Sequence, residues 1–315
     1  MKNKLKHLVP VLLALATITG SLSACELKPK AQQKVSKQGF YFDTIIQITL
    51  YGTTDEKYID DCFDMAKKYE DMLSNTVSYS EVSKINDAAG KEYVTVSDDT
   101  LELIKNGGRF DITIGKLSDL WNFSEIAENT DSKDNEVDAS VVPSDAQIQS
   151  ELSHVNYRNI QINGNDVMLT DSKAKLDLGG IAKGFIADKM KAYLQSKKIT
   201  SGIINLGGNV LTVGEKSDGS DYTVGIQKPF DESGEPICTV KIKDKSVVTS
   251  GIYERYYRVD GKLYHHILDT TTGYPVKNNL YSVTIISDSS CDGDALSTTC
   301  FALGIDKAKE LINSL

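Results

Sequence analysis

The chain has 315 residues, a net charge of −9 at pH 7 and a hydrophobic fraction of 40%. Its length is sufficient for one large domain or two small ones with a substantial core. We expect no nucleic-acid partner, because a phosphate backbone requires a basic binding face and this chain is acidic.

The first 24 residues are predicted to be a lipoprotein signal peptide. Lysines precede an apolar stretch over residues 8–18 that is too short to span a bilayer as a mature helix. The stretch leads to the tetrapeptide Leu-Ser-Ala-Cys ending at Cys25, which has the form of a lipobox. The alternative is an ordinary secretory signal with an incidental cysteine. We expect export, diacylation of Cys25, a polar tether over residues 25–38 and anchoring on the extracytoplasmic face of the cell membrane.

Residues 39–315 are predicted to form an α+β domain. β-Branched and aromatic residues over 40–51 predict a first strand, and an apolar stripe over 58–73 predicts a helix. The polar, acidic segment at about 125–145 lacks periodicity and predicts a surface insertion or loop.

The second half of the chain is predicted to be rich in short strands. Asp260-Gly261 is a strong hairpin signal between two of them. Strands followed by two terminal helices indicate a largely antiparallel, mixed sheet with packed helices. The strands are expected at residues 203–213 (with a break), 222–226, 237–242, 245–249, 253–259, 262–268 and 281–287, and the helices at 293–303 and 306–315.

The cysteines of the mature domain match no zinc or disulfide pattern. Cys62 and Cys300 lie on apolar faces of predicted helices and are expected in the core. A disulfide between Cys291 and Cys300 stays open as an alternative, because an exported protein meets an oxidising environment.

The first candidate for chemistry is the turn at residues 177–184, which follows a short predicted strand at 173–176 and opens a helix. Its glycine pair lets the backbone approach a ligand closely, and the N–H groups at a helix N-terminus bind anions. Lys183 adds a cation in the first turn, which is unfavourable in an isolated helix and suggests a bound phosphate. The alternative is a simple tight turn with a surface lysine.

The second candidate is the start of the helix predicted at 293–303. Asp294 and Thr298 stand one turn apart on the same face, with Ser297 beside them. Such an oxygen-only set suits a hard cation such as Mg²⁺. The alternative is a helix capped by Asp292 with an exposed acidic first turn.

The third candidate is the histidine pair His265 and His266. Strand alternation places the two rings on opposite faces, so at most one of them can point into a cleft. Histidine is the natural general base near neutral pH. The alternative is a histidine on a surface strand without a chemical role.

The order and the amino-acid sequences of these segments resemble those of the ApbE family of FAD:protein FMN transferases. The resemblance extends over nearly the whole mature chain, and the combination of segments is specific. The segments that carry it are 110–121 (FDITIGKLSDLW), 177–184 (DLGGIAKG), 204–209 (INLGGN), 249–251 (TSG) followed by an aromatic strand, and 266–275 (HILDTTTGYP) with 294–298 (DALST).

The resemblance implies an ApbE-like flavin transferase fold and a set of site residues. Asp294 and Thr298 would hold Mg²⁺ together with the backbone carbonyl of Gly180. Ser297 would be a further metal ligand, at a position where some relatives carry an aspartate, and His266 would be the catalytic base. The substrate FAD would lie against Phe42, Thr76, Arg109, Phe110, Asp111, Asp177, Lys183 and Leu268.

The implied reaction moves FMN from FAD to a Thr or Ser hydroxyl of an acceptor flavoprotein and releases AMP. The resemblance suggests acceptors in a membrane redox complex or in extracellular electron transfer. It also implies that the helix before Arg109 is shorter than usual by about two to three turns. Two alternatives are a FAD pyrophosphatase, with water in place of the hydroxyl, and a non-catalytic flavin-binding lipoprotein.

Overall fold

A computed structural model of the chain describes residues 33–106, 111–130, 135–231 and 233–315. The predicted signal peptide, Cys25 and most of the predicted tether lie outside these ranges, and so do Arg109 and Phe110. No helix in the described ranges is long and apolar enough to cross a membrane.

The described strands form antiparallel sheets. The largest sheet has six strands, and a three-stranded sheet and two separate hairpins accompany it. The strands are β1 (Lys34–Tyr41), β2 (Thr44–Tyr51), β3 (Val94–Thr95), β4 (Ile160–Asn163), β5 (Asp166–Leu169), β6 (Ser201–Leu206), β7 (Asn209–Gly214), β8 (Tyr222–Gln227), β9 (Pro236–Ile242), β10 (Ser246–Gly251), β11 (Tyr256–Val259), β12 (Lys262–His265) and β13 (Ser282–Ser287). The order in the large sheet is β1-β2-β6-β7-β10-β13, with every neighbouring pair antiparallel.

Helices pack against this sheet and between its connections, as the α+β prediction requires. The helices of the described ranges are α1 (Lys57–Leu73), α2 (Glu81–Asp87), α3 (Asp98–Asn106), α4 (Gly115–Trp121), α5 (Phe123–Glu128), α6 (Asp145–Leu152), α7 (Ala182–Ser196), α8 (Ser290–Leu303) and α9 (Ile305–Ser314). The helix predicted over 58–73 is confirmed as α1, and the two predicted terminal helices are confirmed as α8 and α9. Cys62 and Cys300 are buried as predicted, and the cysteines of the described ranges are free, so Cys291 and Cys300 form no disulfide.

The main core lies between the large sheet and helices α1 and α7. Alternate residues of β2, namely Ile46, Ile48 and Leu50, are fully buried, because successive side chains of a strand point to opposite faces. Tyr69 of α1 meets Phe185 of α7 edge to face, with ring centroids 5.9 Å apart. Each such side chain contributes about 1.5–3 kcal/mol on burial, and this burial stabilises the packing of α7 against the large sheet.

A second, aromatic core joins α4 and α5 to the β11–β12 hairpin. Trp121 is fully buried, stacks on Phe123 at 5.5 Å and packs against Tyr264 at 5.7 Å. Its indole Nε1 donates a hydrogen bond of 2.8 Å to the backbone oxygen of Gly273. The hairpin prediction is confirmed: Asp260 and Gly261 both have positive φ, the conformation of a two-residue turn.

Three predictions of secondary structure were wrong. Residues 40–51 are not one strand, because the chain reverses at Phe42 and Asp43, which both have positive φ, to form the β1–β2 hairpin. The expected strand at 173–176 is only an isolated bridge between Ile114 and Lys175. The acidic segment at 125–145 is not loop throughout, because α5 extends into it and α6 begins at its end.

Candidate active site

The turn at residues 177–181 brings the N-terminus of α7 against the start of α8. The backbone N–H of Gly184 donates a hydrogen bond of 2.6 Å to Oδ2 of Asp294. A Cβ at position 184 would lie 2.2 Å from the backbone oxygen of Ser290, so only glycine permits this approach. Gly184 therefore serves the packing of α7 against α8.

Asp294 is a buried carboxylate, with 6% of its surface exposed. Its Oδ1 accepts a hydrogen bond of 3.1 Å from Nδ2 of Asn209 on β7. Burial raises the pKa of Asp294, while the positive charge of Lys183 and the hydrogen bond from Gly184 act in the opposite direction. A buried carboxylate held only by neutral donors is further stabilised by a cation.

Three hydroxyl groups, two from α8 and one from β10, form a hydrogen-bonded cluster about one turn along α8 from Asp294. Ser250 Oγ is 2.7 Å from Ser297 Oγ and 3.1 Å from Thr298 Oγ1. Ser297 also donates to the backbone oxygen of Asp294 at 3.0 Å. Ser250 was not predicted, although it belongs to the TSG segment that carried part of the resemblance.

This donor set fits a magnesium ion. The residues that the structure describes contain no group of three His, Cys, Asp or Glu side chains that could hold a metal. The set around Asp294 is instead one carboxylate with neutral oxygens. Mg²⁺ is commonly bound by one or two carboxylates together with waters and substrate phosphates rather than by a complete protein cage.

His266 follows β12 and is half-buried. Its ring Nδ1 lies 3.2 Å from the backbone oxygen of Arg255, and its backbone N–H donates to the same oxygen at 3.1 Å. Because a carbonyl oxygen only accepts, the hydrogen-bond network assigns the proton of the neutral ring to Nδ1. Nε2 is then left as a proton acceptor, which is the state that a general base requires.

The surroundings of His266 keep the ring neutral. Burial lowers the pKa of His266 to about 3, and the positive charge of Arg255 acts in the same direction. His265 points away from it, as predicted, and is 5% exposed. Its ring packs edge to face on Phe301 at 5.8 Å, and its Nε2 donates to the backbone oxygen of Val276 at 3.1 Å. His265 therefore belongs to the core.

The positive charge of Lys183, in the first turn of α7, acts on groups of α8 and on His266. Its positive charge acts on the carboxyl groups of Asp294 and Glu254 and on the ring of His266. Glu254 and Arg255 both keep contact with solvent, yet desolvation by the surrounding protein raises the pKa of Glu254. Neither residue was predicted, because they lie in a short connection between β10 and β11 that carries no motif.

Asp111 and Asp177, both predicted to contact FAD, lie on two segments that are joined by a backbone hydrogen bond. The N–H of Asp177 donates to the backbone oxygen of Ile112 at 2.8 Å. The carboxylate of Asp111 accepts from the N–H of Thr113 at 2.9 Å and from that of Tyr157 at 3.0 Å. Oδ1 of Asp177 accepts from the N–H of Gly179 at 2.8 Å. The Asp177 carboxylate thus orders the backbone of the glycine turn, and the Asp111 carboxylate joins the backbone at Thr113 to that at Tyr157.

The other predicted residues lie in turns and loops. Phe42 is at the tip of the β1–β2 hairpin, where its N–H donates to Oε1 of Glu70 at 2.8 Å. Thr76 is exposed in the segment after α1, Gly180 is exposed in the turn before α7, and Leu268 forms a bridge with Pro275. These positions are compatible with ligand contact but are not joined to the Asp294 cluster by the hydrogen bonds described above.

Comparisons with known proteins agree with this architecture. The model of the ApbE family matches residues 42–315. An FAD:protein FMN transferase of Klebsiella pneumoniae (strain 342) is 38% identical over 272 residues, which cover 83% of this chain and 80% of the relative. An FAD:protein FMN transferase of Treponema pallidum (strain Nichols) is 31% identical over 277 residues, which cover 81% and 73%.

Solved structures show the same fold. The ApbE protein of Thermotoga maritima MSB8 superposes with a TM-score of 0.78 at 33% identity, covering 90% of this chain and 91% of that one. The flavin transferase ApbE from Vibrio cholerae gives a TM-score of 0.76 at 26% identity, with the same coverage.

The fold and the site together define an α+β enzyme of the transferase class. The chain belongs to the ApbE family, because the family model matches most of its length and two curated relatives exceed 30% identity over most of both chains. The resemblance inferred from the sequence is thereby confirmed.

Proposed function

We propose that this chain transfers FMN from FAD to a Thr or Ser hydroxyl of an acceptor flavoprotein and releases AMP, with Mg²⁺ as its metal. The names of its relatives support the flavin chemistry. The observation that carries the proposal is the convergence of Lys183, Asp294 and His266, which supplies a cation for phosphate, a carboxylate for a metal and a base.

Asp294, Ser297 and Thr298 would hold Mg²⁺ by their side chains, together with the backbone carbonyl of Gly180. Bound there, Mg²⁺ would neutralise charge on the FAD pyrophosphate during transfer. The oxygen-only character of the cluster supports this choice of metal.

His266 would act as the base through Nε2. It takes the proton of the acceptor hydroxyl as that oxygen forms a bond to the phosphorus of the FMN half. The bond from this phosphorus to the bridging oxygen breaks, and the electron pair leaves with AMP. The negative pyrophosphate would oppose the effect of Arg255 and raise the pKa of His266 toward a value useful for proton transfer.

Lys183, in the first turn of α7, would bind the pyrophosphate by its positive charge, at the positive end of the helix dipole. The remaining FAD contacts are proposed from the family resemblance. They are Phe42, Thr76, Arg109, Phe110, Asp111, Asp177 and Leu268.

The reaction is tested by mass measurement. The purified chain is mixed with FAD, Mg²⁺ and a candidate acceptor flavoprotein, and the acceptor mass and free AMP are followed. We expect an acceptor heavier by one FMN and an equal amount of AMP. FMN and AMP without acceptor labelling would support the pyrophosphatase, and no AMP with any acceptor would exclude both enzymatic functions and favour flavin binding alone.

The base is tested by His266→Ala, with His154→Ala as the matched control. His154 Nδ1 is bound to Asp171 Oδ2 at 2.7 Å, away from α8. Loss of the general base should slow transfer by about 10²–10⁴-fold while FAD binding persists, and Asp294→Ala should abolish the Mg²⁺ dependence. Transfer by His266→Ala at the wild-type rate would show that another group takes the proton.

We further propose, from the sequence alone, that Cys25 anchors the chain to the extracytoplasmic face of the cell membrane. Residues 1–24 would be removed. The tether would comprise residues 25–33, because the expected tether overlaps β1, which already begins at Lys34, and residues 34–315 would form the transferase domain. An exported acceptor of a membrane redox complex or of extracellular electron transfer would then be within reach. Cys25→Ser should move the chain out of the membrane fraction, and its retention there would contradict lipid anchoring.

A further inference from the structure

Helices α7 and α8 are joined at a second point, one turn along α7 from Gly184. The carboxylate of the half-buried Asp188 accepts three hydrogen bonds from the start of α8. Its Oδ1 accepts from the N–H of Ser290 at 2.9 Å, and its Oδ2 accepts from the N–H of Cys291 and the hydroxyl of Ser289, both at 3.0 Å. A side chain of α7 therefore satisfies N–H groups that have no partner within α8.

The two contact points have matching spacing on both helices. Gly184 and Asp188 are four residues apart on α7, and Ser290 and Asp294 are four residues apart on α8, so each pair lies on one helix face. The backbone of Gly184 touches Ser290 and donates to Asp294. Close contact at Gly184 stops α8 from approaching further, and the bonds to Asp188 stop it from moving away.

The same start of α8 orients the other oxygen of Asp294. Ser290 Oγ donates to Oδ1 of Asn209 at 2.7 Å, and Nδ2 of Asn209 donates to Oδ1 of Asp294 at 3.1 Å. The carboxylate of Asp188 accepts a hydrogen bond from the backbone of Ser290. The hydroxyl of Ser290 in turn bonds to the side-chain amide of Asn209, which donates to Asp294. Both carboxylate oxygens of Asp294 thus depend on the placement that Asp188 fixes.

We infer that Asp188 is a positioning residue for the metal site, which aims the carboxylate of Asp294 at a divalent cation. The inference rests on the proposed function, in which Asp294 is a ligand of Mg²⁺. Groups that orient a metal ligand without touching the metal typically change metal affinity by about 10–100-fold when they are removed. If Asp188 were only a helix cap, its removal would lower the free energy of unfolding by about 1 kcal/mol and leave the metal affinity unchanged.

The test uses the full chain with Asp188→Ala and Asp188→Asn. Mg²⁺ binding is measured by calorimetry, the Mg²⁺ concentration for half-maximal FMN transfer is measured separately, and thermal unfolding gives Tm. We expect Asp188→Ala to raise the Kd for Mg²⁺ by about 10–100-fold. Asp188→Asn keeps one acceptor oxygen, so its Kd should rise less, and it keeps the test valid if the alanine variant does not fold.

The matched control is Asp99→Asn. Oδ1 of Asp99, on α3, pairs with Nζ of Lys189 on α7 at 2.9 Å, so the variant removes a carboxylate that binds to α7 without touching α8. It should lower Tm slightly and leave the Kd for Mg²⁺ at the wild-type value.

Two results would overturn the positioning role: a wild-type Kd in both Asp188 variants despite a lower Tm, or an equal rise of the Kd in Asp99→Asn. A wild-type chain that binds no Mg²⁺ would overturn both this inference and the proposed metal. A wild-type chain that binds Mg²⁺ but transfers no FMN would overturn the proposed function alone, and the comparison of Kd values would still decide the role of Asp188.

Discussion

Gly184→Ala tests how closely the two helices of the site must approach. The added Cβ would lie 2.2 Å from the backbone oxygen of Ser290, whereas ordinary contacts begin at 3.4 Å, so the backbones must separate by about 1.2 Å at this point. None of the three neighbouring atoms can rotate away, since the contacts at 2.2, 2.5 and 2.7 Å are all with backbone. The hydrogen bond from Gly184 to Asp294 would be stretched by the same movement.

The magnitudes favour a net loss of stability. Alanine gains about 1 kcal/mol over glycine within a helix. Overpacking costs about 1–3 kcal/mol, and a hydrogen bond to a charged group contributes about 1.5–3 kcal/mol. We expect the free energy of unfolding to fall by about 1.5–5 kcal/mol, which lowers Tm by at least about 3 °C.

Urea unfolding and thermal unfolding measure this loss, and Gln195→Ala is the control. Gln195 is exposed near the end of α7, so its replacement changes helix propensity without changing contact with α8. The control should be as stable as the wild type or slightly more stable. A Gly184→Ala variant that matched the wild type in stability would refute the close approach of α7 and α8.

Two further predictions concern buried polar groups. Burial lowers the pKa of His265 from 6.5 to about 4, so the unfolded state binds more protons between these pH values. The free energy of unfolding of the wild type should therefore be about 3 kcal/mol higher above pH 6.5 than at low pH, and this difference should disappear as the pH falls to 4. Urea unfolding of His265→Gln at each pH should lack this pH-dependent contribution. The same pH dependence in His265→Gln would contradict the prediction. Among the described residues, the hydroxyl of Tyr257 is the buried side-chain group without a hydrogen-bond partner. Tyr257→Phe should therefore raise the free energy of unfolding by about 1 kcal/mol. A decrease of that size would show that the hydroxyl has a hydrogen-bond partner.

Local patterns were sufficient to predict much of the fold. The apolar stripe of α1 and the Asp260-Gly261 turn depend on neighbouring residues, and both are confirmed. The reversal at Phe42 was missed because two non-glycine residues adopt positive φ there, inside a run of mainly strand-forming residues. The tertiary packing of the hairpin on α1, including the bond from Phe42 to Glu70, is not readable from the local pattern.

The candidate site was only partly predictable because its contacts are long-range. Asn209 reaches Asp294 across 85 residues, and Ser250 reaches Ser297 across 47. Their meeting depends on sheet register, in which Asn209 lies opposite Val248 on β10, two residues before Ser250. Asp188 looks like an ordinary polar residue of a helix until α8 is placed beside it. The residues with predicted roles toward Mg²⁺ and FAD remain predictions.

The start of β1 would limit the distance between the domain and the membrane. Lys34 is already paired with Tyr51 in the large sheet, so only nine positions separate Cys25 from rigid structure. A fully extended segment of that length spans about 30 Å at most. If Cys25 is lipidated as proposed, the domain stays within one protein diameter of the bilayer. Acceptors would then be selected by the height of their modifiable hydroxyl above the membrane as well as by the residues around it.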